Sequence, residues 1–233
     1  MLKRKLLFLW LFCIFGSLSI LPYVRHLGIL PSALSIAKML IVGVLQSSIL
    51  FGFICWAIFK ILPKTDLQPF HVQSISNQIV YPGIIAGGLV GLVIFCLDRF
   101  LFQGSLLAQG NPPYWISILY SIYGAINEEV LLRLFFFTLL YFVLTKIFKP
   151  ADKVKIYLLW TANLFTAILF GVGHLPFLFS VTSSPSFSEI SEVLILNGLG
   201  GVVFGWLYWS RGLWAAVVAH FVADLVLHVR IYQ

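Results

Sequence analysis

The chain has 233 residues, of which 61% are hydrophobic and 10% charged, against ~25% charged in a typical soluble domain. At a mean hydropathy of +1.01 it has too little charge to cover a water-facing surface, which excludes a cytosolic globular enzyme, a disordered chain and a nucleic-acid-binding domain. The net charge of +7 comes without a basic stripe interleaved with aromatics, and in a membrane protein such an excess reports loop topology.

Lys3, Arg4 and Lys5 precede the first apolar stretch, near 6–24. A signal peptide starts this way, but Ser19-Ile20-Leu21-Pro22-Tyr23 offers no small-x-small cleavage site, so an uncleaved anchor is expected. Further stretches of the ~20 residues needed to cross a bilayer lie near 39–62, 79–97, 114–145, 156–179, 193–209 and 213–229, with polar loops at 63–77 and 181–191. The 114–145 stretch is too long for one straight span. It is read either as two segments or as one helix broken near Gly124–Asn127. The expected architecture is all-α: an integral membrane helical bundle of about seven or eight transmembrane helices, residues 1–233 forming a single membrane domain.

With seven spans and a cytoplasmic N-terminus, Lys3, Arg4, Lys5, Lys60, Lys64, Lys146, Lys149, Lys153, Lys155 and Arg211 fall on the cytoplasmic side, and Arg25, Lys38, Arg99 and Arg230 on the other. That asymmetry follows the positive-inside tendency. An eighth span would move the C-terminus. Cys13, Cys55 and Cys96 lie in separate apolar stretches with no CxxC pair, so they read as small buried hydrophobes, not as a disulfide or zinc–thiolate set.

The informative residues are ionisable groups inside the spans: Glu128, Glu129, Arg133, His174, His220 and Asp224. An Arg or Asp at a helix centre costs at least ~2.5 kcal/mol on insertion scales, so such groups mark function by default. Glu129 and Arg133 are four apart with the acid N-terminal, the favourable order for an ion pair. Glu128 points about 100° away around the helix and is left to face a cavity. The alternative is a polar network that only holds helices together. In Phe170-Gly171-Val172-Gly173-His174, two glycines let another backbone approach, and Phe170 stacks one turn before His174. His220 and Asp224 also share a face. They could hold one ligand between them, or Asp224 could orient the imidazole. His228 continues that face but reads as an interfacial residue.

One carboxylate base, two histidines and an Asp form an inventory for activating water. A glutamate in a low-dielectric cavity can serve as general base near neutral pH, and a histidine can stabilise an oxyanion as a carbonyl turns tetrahedral. Peptide or ester hydrolysis within the bilayer is the reaction class this favours.

The order Glu128-Glu129-x-x-x-Arg133, Phe170-x-x-x-His174, His220-x-x-x-Asp224 resembles the CPBP family (the Abi, or CAAX-protease and bacteriocin-processing, family), whose eukaryotic members are the type II CAAX prenyl endopeptidases. The run Gly205-Trp206-Leu207-Tyr208-Trp209-Ser210-Arg211-Gly212-Leu213-Trp214-Ala215 is similar to that family's approach to its last motif. The resemblance covers 110–229; residues 1–110 hold N-terminal spans of no diagnostic pattern. It implies an intramembrane endopeptidase in which Glu128 and His174 activate water. His220 and Asp224 would complete the site as oxyanion groups or metal ligands, with Glu129 and Arg133 in support. The implied partners are the lipid bilayer and a protein or peptide substrate that can be lipidated, with no nucleic acid.

Asp224 departs from the Asn of the eukaryotic prenyl-protein members and tilts the expectation to a bacterial plasma-membrane protein. An ionised Asp only accepts hydrogen bonds. Asp224 is therefore protonated, serves His220, or binds a metal. No cofactor is required by the motifs. A divalent metal such as zinc on Glu128, His174, His220 and Asp224 is kept as an open expectation, although His-Glu-x-x-His is absent. The competing functions are a non-catalytic membrane scaffold or immunity protein and an ion-coupled transporter.

Overall fold

The computed structural model describes residues 1–29, 34–72, 74–102 and 112–228; Arg230, placed above on the non-cytoplasmic side, lies outside them. The described residues form helices and connecting turns with no strand, as a lipid-embedded chain must when every backbone N–H and C=O needs an internal partner. Helix α1 (Leu2–Ser19) turns into the short α2 (Leu21–His26), followed by α3 (Ile36–Ile61) and α4 (Tyr81–Leu101). Helix α5 (Tyr114–Tyr123) runs through two π-helical stretches, Gly124–Glu128 and Val130–Phe137, into α6 (Thr138–Phe148). Then come α7 (Lys155–Val181), α8 (Phe187–Arg211) and α9 (Leu213–His228).

Among the described residues, six stretches are long and apolar enough to cross a membrane: Leu2–His26, Ile36–Lys64, Ile75–Leu101, Tyr114–Phe148, Asp152–Val181 and Phe187–Arg211. A further apolar helix, α9, has 16 described residues, which rise ~24 Å. The long stretch at 114–145 is one continuous helical run, so no eighth span arises there. Its departure from α-geometry begins at Gly124, where a break was expected. Exposed Phe8, Leu11, Phe15, Leu45, Ile49 and Trp56 present an apolar surface on α1 and α3, suited to lipid. Cys13 and Cys55 are buried and all three cysteines are free thiols.

Helix α1 is joined to the bundle by Asn127, which is 2% exposed. Its Nδ2 donates to the Cys13 carbonyl at 2.8 Å and to Ser17 Oγ at 2.7 Å. Gly16 makes room, since a Cβ there would meet the Asn127 side chain.

The crossing of α4 and α9 decides where the last motif sits. Gly83, Gly87 and Gly91 recur every four residues and face α9. A Cβ on Gly83 would lie 3.2 Å from the Ala215 carbonyl oxygen, one on Gly87 2.9 Å from the Ala219 carbonyl carbon, and one on Gly91 3.1 Å from the Ala223 carbonyl oxygen. The constant offset means that the two helices run parallel in register. Lipid gives apolar side chains no reason to associate, so this small-residue seam supplies van der Waals contact instead. At the other end of α9, Gly212 takes φ +100°, a region other residues rarely enter, and reverses the chain between α8 and α9.

The 63–77 segment is more than a solvated loop. Lys5 Nζ donates to the Phe70 carbonyl at 3.0 Å, the Leu213 N–H to that of Pro69 at 2.9 Å, and Gln78 Nε2 to that of Arg211 at 3.3 Å. Asp66 accepts from Tyr141 Oη at 2.8 Å and from Lys155 Nζ at 3.0 Å. The segment therefore straps the start of α1, the first half of α6, and the starts of α7 and α9 across one face. The second expected loop, 181–191, is shorter than its composition suggests. Ser186 and Glu189 form a capping box, so its second half is already the first turn of α8.

Partial burial would raise the Asp66 carboxyl, but its hydrogen bonds from Lys155 and Tyr141 outweigh this and hold it below the usual carboxylate range. A lowered folded-state value makes the strap's contribution fully present above the unfolded value of ~3.9 and lost as pH falls through the folded one. Because Asp66 is about half exposed, Asp66→Asn is expected to cost only ~0.2–1 kcal/mol at pH 7. Thermal unfolding of the two proteins in detergent should differ at pH 7 and converge at the acid end.

Candidate active site

Glu129 and Arg133 form the ion pair expected from their spacing: Arg133 Nε lies 3.3 Å from Glu129 Oε2, both side chains fully buried. The guanidinium carbon also sits 5.3 Å from the centre of the Phe170 ring, a cation–π contact that favours the charge in this setting. The other oxygen of Glu129 takes a role that spacing did not reveal. His220 Nδ1–H donates to Glu129 Oε1 at 2.9 Å, so Glu129, not Asp224, orients that imidazole. The link spans 91 positions and joins the π-helical region to α9.

His174 is held by its own helix. Its Nδ1 is 2.8 Å from the Phe170 carbonyl oxygen, which only accepts, so Nδ1 carries the proton. Pro176 sits two residues on, within α7, and cannot donate to the Val172 carbonyl. Phe170 meets His174 edge-on, centroids 4.8 Å apart at 86°, where stacking was expected. Its ring also meets His220 edge-on at 5.5 Å. Of the two glycines before His174, only Gly171 serves a close approach, against the backbone of Leu194; Gly173 has open space where its Cβ would be.

Both imidazoles therefore turn Nε2 toward Glu128, whose Oε2 lies 3.9 Å from each. Asp224 Oδ1 lies 3.7 Å from His220 Nε2, and its Oδ2 has no hydrogen-bond partner. Gly124 leaves room for this end of the site, since a Cβ there would come within 2.9 Å of Asp224 Oδ2 and 3.2 Å of His220 Nε2. The π geometry starts at that residue; such widenings are common where a helix serves a site. All six residues singled out in the sequence are thus in one cluster, carried by the 124–137 region, α7 and α9.

The cluster opens on a cavity of about 520 Å³ whose wall includes His174, His220, Asp224, Tyr120, Phe204 and His228. His228, set aside above as interfacial, is part of this wall, its ring edge-on to Tyr120 at 5.1 Å. Phe204 stacks flat on His220, centroids 4.7 Å apart at 15°. Nothing marks it in the sequence, because it is one phenylalanine among 22. Asp98 is also on the wall and 0% exposed. It lies one residue beyond the expected 79–97 span; the helix continues to Leu101, and a longer reading would have counted it as intramembrane.

The donor set does not fit the expected metal. The 3.7–3.9 Å gaps exceed the ~3.3 Å edge of a tetrahedron built on zinc–nitrogen bonds of ~2.0–2.1 Å. No group of three or more His, Cys, Asp or Glu among the described residues is placed to hold a metal ion. A water molecule suits the space: at ~2.8–2.9 Å from two partners, it bridges atoms 3.9 Å apart with a near-right angle between its contacts.

No curated protein and no solved structure matches the chain. Residues 110–226 match the type II CAAX prenyl endopeptidase Rce1-like family, a family of proteases. That segment carries every residue of the cluster and half of the chain, so this multi-pass membrane protein belongs to the type II CAAX prenyl endopeptidase Rce1-like family.

Proposed function

We propose that the protein is an intramembrane endopeptidase that hydrolyses a peptide bond of a membrane-associated protein or peptide, using a water held between Glu128 and His174. The observation that carries the reading is the placement of Glu128 Oε2 at 3.9 Å from the Nε2 atoms of both histidines. With Nδ1 of His174 protonated, its Nε2 lone pair accepts one hydrogen of the water while Glu128 accepts the other and takes the proton as oxygen attacks the carbonyl. His220, in its imidazolium form, donates Nε2–H to the developing oxyanion, and its positive charge is balanced by Glu129 at 2.9 Å. The proton held by Glu128 passes to the leaving amine. Asp224 borders the oxyanion side and, when protonated, donates there as an asparagine would. The substrate reaches these groups from a membrane setting, which accords with a lipidated chain end as substrate.

Removing the base or its histidine partner should cost ~10²–10⁴-fold in turnover. Glu128→Gln and His174→Ala are expected to lose cleavage of a lipidated peptide in proteoliposomes, with normal insertion and chelator-resistant wild-type activity. Stoichiometric zinc in the purified protein, absent from Glu128→Ala, would replace the water mechanism by a metal one.

Gly124→Ala should fold and insert yet turn over ~10²-fold more slowly, because its methyl displaces His220 and Asp224 from the reacting carbonyl. Wild-type kcat in that variant would show that the room at Gly124 is not used. Arg133→Ala removes the guanidinium partner of the buried Glu129 carboxylate and leaves it with His220 alone; the loss is expected to destabilise by ~3–5 kcal/mol, read as lost accumulation and a lower melting temperature. Normal stability would contradict the ion-pair account.

A further inference from the structure

The proposed water chemistry uses one end of the cavity and leaves the other end with unsatisfied groups. Asp98, on α4, is 0% exposed, and neither of its carboxylate oxygens has a hydrogen-bond partner. Ser117, on α5, is 1% exposed, and its hydroxyl likewise has none. Both border the cavity that holds His174 and His220. Among the described residues no Lys or Arg lines that cavity. An ionised carboxylate in such a place is costly unless a cation meets it. Protonation does not remove the difficulty, because the neutral acid adds an O–H that also needs a partner.

We propose that Asp98, with Ser117, is the subsite for a positively charged amino group of the substrate, a lysine side chain being the fitting class. An ammonium offers three donors, enough for the carboxylate and the hydroxyl together. The register of α4 against α9 gives the location. Gly87 faces Ala219 and Gly91 faces Ala223, so Gly88 lies level with His220 and Asp98 is ten residues further along. That is ~15 Å of helix, the length of about four extended residues. The favoured lysine therefore stands about four positions from the bond that is cut. The assignment rests on the endopeptidase reading for its reacting end, but its affinity does not need catalysis.

The test uses full-length Glu128→Gln protein in detergent and lipid-anchored peptide probes that differ at one scanned position, lysine or norleucine. Binding should favour lysine at least ~10-fold at one position, as a buried charge-assisted hydrogen bond allows. Asp98→Asn in the same background should bring the ratio close to one, with monodisperse elution reporting that it folds. Acetyl-lysine at that position, which leaves the protein untouched, should lose the preference as norleucine does. Equal binding of the probes at every position overturns the subsite, as does a lysine preference that survives Asp98→Asn. Lysine selectivity in binding with no cleavage of any probe by the wild type would sustain the subsite and sink the endopeptidase reading. Where cleavage occurs, a preferred lysine next to the cut bond would overturn the placement at Asp98.

Discussion

A guanidinium in the dry interior of a helical bundle has to be neutralised where it stands, and the rest of this site is arranged around that requirement. Arg133 is fully buried and pairs with Glu129. Glu129 has a second oxygen, and that oxygen holds Nδ1 of His220 on a different helix. Phe170 lies over the guanidinium and meets both histidines edge-on. One buried cation thus determines how the 124–137 region, α7 and α9 meet, and so which way both imidazoles face. Because each partner of the pair is expensive without the other, the geometry around Glu128 comes with the stability of the bundle.

Close backbone approach does the remaining placement. The glycines of α4 let the alanine face of α9 come to contact distance, and His220 and Asp224 arrive in the cavity as a result. Gly124 removes the side chain that would otherwise fill the space beside them. In lipid, where burying leucine gains nothing over leaving it in the acyl chains, such contacts are what association depends on. The strap at 65–72 closes the same assembly from one face through backbone carbonyls and Asp66.

The chemistry follows from polar groups gathered at one end of a largely apolar and aromatic cavity, with His174, His220 and Asp224 on its wall and Glu128 beside the two imidazoles. Neither histidine needs its Nδ1 for catalysis, since Phe170 and Glu129 occupy those atoms. Both Nε2 atoms are left for the water and the carbonyl. Family membership supplies the protease class, and the 3.9 Å spacing about Glu128 supports the proposed division between base and oxyanion donor.

Much of this was legible in the chain. Composition required a helical membrane bundle, because lipid admits no other way to satisfy a backbone of this apolarity short of a closed barrel. The Glu129–Arg133 pair and the grouping of His220 with Asp224 are local properties of helical spacing, and the six intramembrane ionisable residues picked out by composition lie in one cluster. What the tertiary structure decided are contacts between residues far apart in sequence. Glu129 orients His220 across 91 positions, which no periodicity encodes. The 3.9 Å separations of Glu128 from His174 and His220 are likewise set by packing between helices. Asp98 lies one residue past the expected 79–97 span, and only the continuation of α4 to Leu101 and the packing of the bundle bury it. Helical period reports which residues share a face, while only packing decides which faces meet and how far apart their atoms stand.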